Sequence, residues 1–292
     1  MSKLLHTLSI FIILLAIVTS GLGLFYKTGG ESFYFVNQYG DTIRIYGDGI
    51  YKNDSYFLAP IHKGTDFTVL FFAIPLLVFA LLNDKKNNSL KTKLFLTSVI
   101  SFLLYYATSI SFGVKYNALH LVYVALFSCS FFAFLIGFSL VKKYDIKSSG
   151  KMCNIGLKVF LVLTGLSLFV AWLPDIIVSL INRKSLELIE IYTTAITYVL
   201  DMAIISPVVF ICLFSLMKNN NLGYILLGII LTNLIIIGIT VINQTIFQNM
   251  AGIGLPIEAY ITKIGIFAIL ATVGIYYQIK LFRSIKNSGN VI

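Results

Sequence analysis

Charge is what this chain lacks most. Only 12% of its 292 residues are Asp, Glu, Lys or Arg, about half the share of a soluble domain. So few charges cannot clothe a water-facing surface, which excludes soluble, secreted and disordered classes. Cysteine is scarce too: Cys129, Cys153 and Cys212 are scattered with no C-x-x-C pair, so neither a disulfide framework nor a zinc cage follows. The three histidines (His6, His62, His120) form no ligand pattern. No H-E-x-x-H, G-x-S-x-G or Walker-type loop is present. No catalytic residue, metal ligand or cofactor is therefore assigned, and the balance leans away from an enzyme.

What the chain has in excess is apolar length. A helix needs about 20 mostly apolar residues to cross a bilayer. Eight stretches qualify, at 7–26, 66–83, 94–112, 117–141, 157–181, 192–217, 222–243 and 257–279. The fold class expected is an all-α polytopic bundle forming a single transmembrane domain. A β-barrel would show weak alternating segments instead. The start of the chain also resembles a signal peptide, with Lys3 before an apolar run and Val18-Thr19-Ser20 at a cleavage-like position. The apolar run continues through Leu22, Leu24 and Phe25, and that length favours a retained span.

The net charge of +10 is explained by where the charges fall. With the N-terminus placed in the cytoplasm, fourteen of the 22 Lys and Arg residues lie on the inner side, in blocks such as Lys85-Lys86 and Lys142-Lys143. Nine of the 12 acids lie on the outer side. That asymmetry predicts a cell-membrane protein with both termini cytoplasmic, its basic blocks facing anionic headgroups. The expected partners are the lipid bilayer and a small polar ligand; no basic domain with interleaved aromatics points to nucleic acid. Oligomeric state is not readable.

The one long connection, 27–65, is extracytoplasmic in this topology. Within it, 32–36 and 42–46 are rich in β-branched and aromatic residues around a turn at Asn37-Gln38-Tyr39-Gly40-Asp41, which predicts a short hairpin. Asp48 and Asp54 read as turn formers. Gly47-Asp48-Gly49 lacks the context of a phosphate loop.

Ionisable groups inside a bilayer are costly, and each invites a functional hypothesis. Asp201 is the clearest, about 13 Å along its helix if Tyr192 marks the outer interface, and so expected to face a water-filled cavity or a partner such as Lys263. Pro207 follows six residues later, and Pro75 lies nine after Asp66. The second and sixth spans thus match in a 4+4 division, and interrupted helices in corresponding halves point to transporter binding sites. Asp66, Asp201, Lys263 and His120 are the candidate substrate-binding residues, with Pro75 and Pro207 as hinges. Each has a plainer reading. Asp66, Asp175 and Glu258 suit helix ends. His120 suits packing, Trp172 and the tyrosines suit interface anchoring, and Asn233 a contact between helices.

At these residues the chain resembles a family of uncharacterised bacterial multi-pass membrane proteins. The similar stretches are Gly47-Asp48-Gly49-Ile50-Tyr51-Lys52-Asn53-Asp54-Ser55, Lys63-Gly64-Thr65-Asp66, Tyr116 through Ala125, and Leu200-Asp201 with Pro207. The resemblance implies an integral protein of a bacterial cytoplasmic membrane and gives weight to Asp66, Asp201 and the 51–55 loop. It implies no activity, cofactor or substrate, and at His120 the family pattern is more often aromatic. Three functions stay open: a transporter or permease for a small polar solute with an outward-facing polar cavity, a sensor or accessory subunit binding through the outer loop, and a lipid- or envelope-modifying enzyme. The first is favoured.

Overall fold

The computed structural model describes residues 1–144, 146, 152–254, 257 and 260–285, without the side chains of Glu187, Thr262 and Lys263. Its eight helices long and apolar enough to cross a membrane are α1 (Ser2–Phe25), α2 (Leu58–Asn87), α3 (Leu90–Gly113), α4 (His120–Val141), α5 (Ile155–Asn182), α6 (Ile196–Met217), α7 (Asn221–Met250) and α8 (Ile266–Ser284). The fold is an all-α polytopic bundle. A two-stranded antiparallel hairpin, β1 (Phe33–Val36) and β2 (Thr42–Ile45), pairs Phe33 with Ile45 and Val36 with Thr42. Asn37 makes its turn, the side-chain Oδ1 accepting the N–H groups of Tyr39 and Asp41, each at 2.9 Å.

Helix starts follow local capping chemistry. Ser89 opens α3 with a reciprocal capping box to Thr92. Asn154 caps α5, and Asn220 caps α7. The second helix begins at Leu58, eight residues before the start read from hydropathy. The polar run His62-Lys63-Gly64-Thr65 hides those two turns, so Asp66 lies inside the helix and not at its end.

The helical core has two main parts, beside a small cluster of Ile45, Ile191 and Tyr192 under the hairpin. One gathers buried residues of α1–α4 with Ile50, Tyr51, Leu119 and Ile236 of α7, and the other includes those of α5–α8 with Leu90, Leu94 and Val141. Within the first, α1 packs on α2 and α4, and α3 on α2 and α4; within the second, α6 packs on α5 and α7, and α7 on α8. The two central helices, α3 and α7, meet each other. The halves therefore share most of their neighbour pattern under a shift of four helices. The likeness reaches α2 and α6 themselves. Each contains a five-residue π-helical turn, Val69–Ala73 and Asp201–Ile205, and in each a proline (Pro75, Pro207) stands six residues after the turn begins. Proline lacks the N–H that would close the preceding turn and its ring displaces the carbonyl there. The widened turn absorbs that defect, and its extra residue rotates the following face by about 100°.

Helices in lipid gain nothing from burying apolar surface against each other, so close packing and hydrogen bonds decide. One close crossing is α2 on α7. A Cβ on Gly64 would lie 2.4 Å from the Gln244 Cα. The approach brings Gln244 Nε2 to Thr65 Oγ1 at 2.8 Å and Asn243 Nδ2 to Thr68 Oγ1 at 3.0 Å. Gly64→Ala should force the helices apart and cost about 1–3 kcal/mol, read as a lower Tm in detergent. An unchanged Tm would show that the crossing tolerates a side chain.

Candidate functional site on the hairpin side of the bundle

Two adjacent tyrosines on α3 organise the two acids of α2 and α6. Tyr106 donates its phenol to Asp66 Oδ1 at 2.7 Å, and Tyr105 donates to Asp201 Oδ1 at 3.0 Å. Neighbouring helical side chains diverge by about 100°, so the pair holds its two carboxyls on different sides of one helix. Asp66 receives a second phenol, from Tyr51 at 2.6 Å. Its side chain is fully buried, and it fits only because α1 offers Gly23, where a Cβ would lie 1.9 Å from Asp66 Oδ2. Asp201 receives the Trp172 indole N–H at 2.9 Å. That indole stacks on Tyr198 at 4.4 Å, and Tyr198 in turn donates to Asp175 at 2.9 Å.

Asp66 and Asp201 thus occupy separate pockets. Lys263, expected beside Asp201, has its side chain outside the described residues, as does Glu258. His120 stacks on Tyr116 at 5.3 Å, half-buried, with no bond to any of the acids. Pro75 and Pro207 follow the two π-turns just described. Trp172 was expected as an interface anchor; its N–H is instead engaged by a buried carboxyl.

A third buried carboxyl, Asp54, lies above the bundle. Its Oδ1 accepts the Lys115 backbone N–H at 3.0 Å and the Tyr192 phenol at 2.9 Å, joining the loop after the hairpin to the α3–α4 and α5–α6 connections. It is no solvated turn residue, and burial pushes its carboxyl up to about 7 from 3.8. His62 Nε2 stands 3.8 Å from Asp54 Oδ1, too far for a hydrogen bond. Both Asp54 Oδ2 and His62 Nε2 are buried without a partner among the described residues. Nearby, Ser55 donates to Glu190, whose carboxyl burial also raises, and Asn37 Nδ2 donates to the Glu190 carbonyl at 2.7 Å. Asp48 closes the base of the hairpin loop. Burial alone would raise its carboxyl, but the backbone and hydroxyl donors of Thr28 and the N–H of Gly29 lower it.

Polar groups continue from Asp201 toward the opposite, lysine-rich face. Tyr105, Ser101 and Ser98 lie four and three residues apart on α3, on one stripe. Asn233 of α7 donates to Ser101 Oγ, and Gln278 of α8 donates to Thr232 Oγ1 at 2.9 Å. Asn233 Oδ1 and Gln278 Oε1 are buried with no partner among the described residues. Gln278 also lines an open cleft of about 710 Å³ between α2, α3 and α8. On the hairpin side, a shallow cavity of about 230 Å³ is lined by Arg44, Tyr56 and Glu190 among others. Among the described residues no three His, Cys, Asp or Glu side chains converge as metal ligands do.

Sequence reading missed Asp54 with His62, both donor tyrosines of α3, and a cluster at the far end. There Asp84, fully buried, accepts from Thr92 Oγ1 at 2.6 Å and sits 3.3 Å from Lys93 Nζ and 2.8 Å from His6 Nε2. The signal available was Asp84 nine residues before Lys93, but the connection between them read as a solvated loop. Compared with known protein families, curated proteins and solved structures, the chain matches none.

Two predictions follow from this geometry. Asp201→Leu leaves a phenol and an indole N–H without their acceptor. Orphaned buried donors cost about 1–3 kcal/mol each, so the variant should melt well below wild type while Asp201→Asn loses less. Equal Tm for all three would remove Asp201 from the network. For Asp54, the folded protein keeps a proton between about pH 4 and 7 that the unfolded chain has released. The contribution of Asp54 to stability should therefore fall as pH rises through that window and level off above it, by a few kcal/mol at about 1.4 per pH unit. Asp54→Asn should change the slope of the Tm–pH curve by that amount. Parallel curves would contradict the burial assigned to this carboxyl.

Proposed function

We propose that the protein is a permease for a small polar solute, reached from the hairpin side and released on the lysine-rich side. The observation that carries this reading is the polar stripe from Asp201 through Tyr105, Ser101 and Asn233 to Gln278. It links α6, α3, α7 and α8, and two of its amide oxygens have no protein partner among the described residues. Buried amides of this kind bind water or a hydrogen-bonding ligand. The π-turns before Pro75 and Pro207 sit at matching places in the two halves, where a change of helix direction would move Asp66 and Asp201 relative to α3. The lysine-rich face is the cytoplasmic one by the bias of its loops, which puts both termini in the cytoplasm of a cell whose membrane this protein crosses. Membership in the family of uncharacterised bacterial membrane proteins belongs to the same proposal.

A sensor reading has one observation in its favour. The hairpin is welded to the helix connections through Asn37, Ser55 and Asp54, so a ligand in the Arg44–Glu190 cavity would pull on α3 and α6 together. The enzyme reading is weaker: Asp66 and Asp201 lie apart, and Asp54 and His62 are beyond hydrogen-bond reach of each other.

The test is uptake by proteoliposomes across a panel of small polar solutes chosen by thermal-shift screening of the purified protein. A screened solute should accumulate in liposomes with wild type, and Asn233→Leu should slow its uptake at least tenfold while leaving the protein folded. Ligands that stabilise the protein but are never moved would favour the sensor and overturn the permease.

A further inference from the structure

We infer that the cleft on the lysine-rich face is a binding site for one anionic phospholipid, an inference that does not depend on the permease reading. The cleft opens between the end of α2, the start of α3 and the last turns of α8, with a volume of about 710 Å³, within the range of ligand pockets. Its walls and its mouth differ in chemistry as the two ends of a lipid do. Three phenylalanines form the inner wall. Phe95 meets Phe79 edge-on at 6.3 Å and Phe282 edge-on at 5.9 Å. They make a continuous aromatic surface suited to an acyl chain. The mouth is polar and basic: Asn87 and Lys91 line it, and Lys85 and Lys86 lie exposed on the same turn of α2.

Two further facts select an anionic lipid over a neutral one. Asp84, the acid at this end of α2, is fully buried and bound by Lys93, Thr92 and His6, so it offers no exposed negative charge. The field at the mouth is therefore set by free lysines, each of which attracts anionic headgroups near a membrane surface. Gln278 is the amide side chain of α8 that lines the cleft. Its Nε2 is used by Thr232, and its Oε1 is buried behind that wall with no partner among the described residues. A headgroup hydroxyl is a donor that a phosphatidylglycerol-type lipid can bring to this amide, and a phosphocholine group has none to give.

The experiment uses the full chain purified in detergent, with Tm measured while phosphatidylglycerol, phosphatidylcholine or inorganic phosphate is titrated in, and native mass spectrometry counting bound lipid. Phosphatidylglycerol should raise Tm saturably and remain as a single adduct, with neither comparator doing so. Lys91→Ala should weaken its apparent affinity about fivefold, the share expected of one interfacial lysine. Asn87→Asp, an exposed change that adds a negative charge at the mouth, should weaken it similarly and stands in if Lys91→Ala does not fold. Equal stabilisation by phosphatidylcholine would overturn the headgroup preference. Full stabilisation by inorganic phosphate would make this a free-anion site, and wild-type affinity in both variants would place the lipid elsewhere.

Discussion

Three carboxyl groups in the hairpin-side half of the molecule are buried among aromatic and apolar side chains, and none is bonded to a cationic side chain among the described residues. Removing such groups from water costs several kcal/mol unless every oxygen finds a donor. The chain answers with neutral donors, namely phenols, one indole and a backbone N–H, and of these six oxygens only Asp54 Oδ2 is left without one among the described residues. Phenols and indoles are also the side chains that combine apolar bulk with a single polar tip, so they satisfy the carboxyls without bringing in further buried charge. The far end solves the same problem differently. There Asp84 has an ammonium, an imidazole and a hydroxyl around it.

The rest of the architecture depends on where these donors sit. Because Tyr105 and Tyr106 are consecutive on the central helix α3, the acids of α2 and α6 must approach that helix from different directions. The two helices that supply them carry matching π-turns and prolines, and each belongs to its own half of the core. Asp54, in turn, ties the extramembrane loop to connections from both halves.

The fold was legible in the sequence because apolar length reports directly on helices. The hairpin was legible for a similar reason: alternation around an Asn-containing turn is a local signal. Asp201 stood out because nothing else charged lies near it in its span. Its partners did not, since Tyr105 and Trp172 lie 96 and 29 residues away in sequence and look like any other interface aromatics. Asp66 was read as a helix-end carboxylate because His62, Lys63 and Thr65 interrupt the apolar run; the structure shows the helix starting at Leu58, held there by the Gly64 approach to α7. Asp54 was misread for a different reason. Its Asn-Asp-Ser context is that of an exposed turn, and only the fold brings Tyr192 and Lys115 over it. Side-chain partners set by tertiary packing leave no period in the sequence.

The claim that α3 holds the two membrane acids independently is most directly tested by double-mutant cycles in detergent, pairing Tyr105→Phe with Asp201→Asn and Tyr106→Phe with Asp66→Asn. Contacting residues show coupling of about 0.5–3 kcal/mol and unconnected ones add. The account predicts coupling within that range for each of these pairs, and additivity for the crossed pairs Tyr105 with Asp66 and Tyr106 with Asp201. Additivity within both bonded pairs, or equal coupling in the crossed ones, would contradict it.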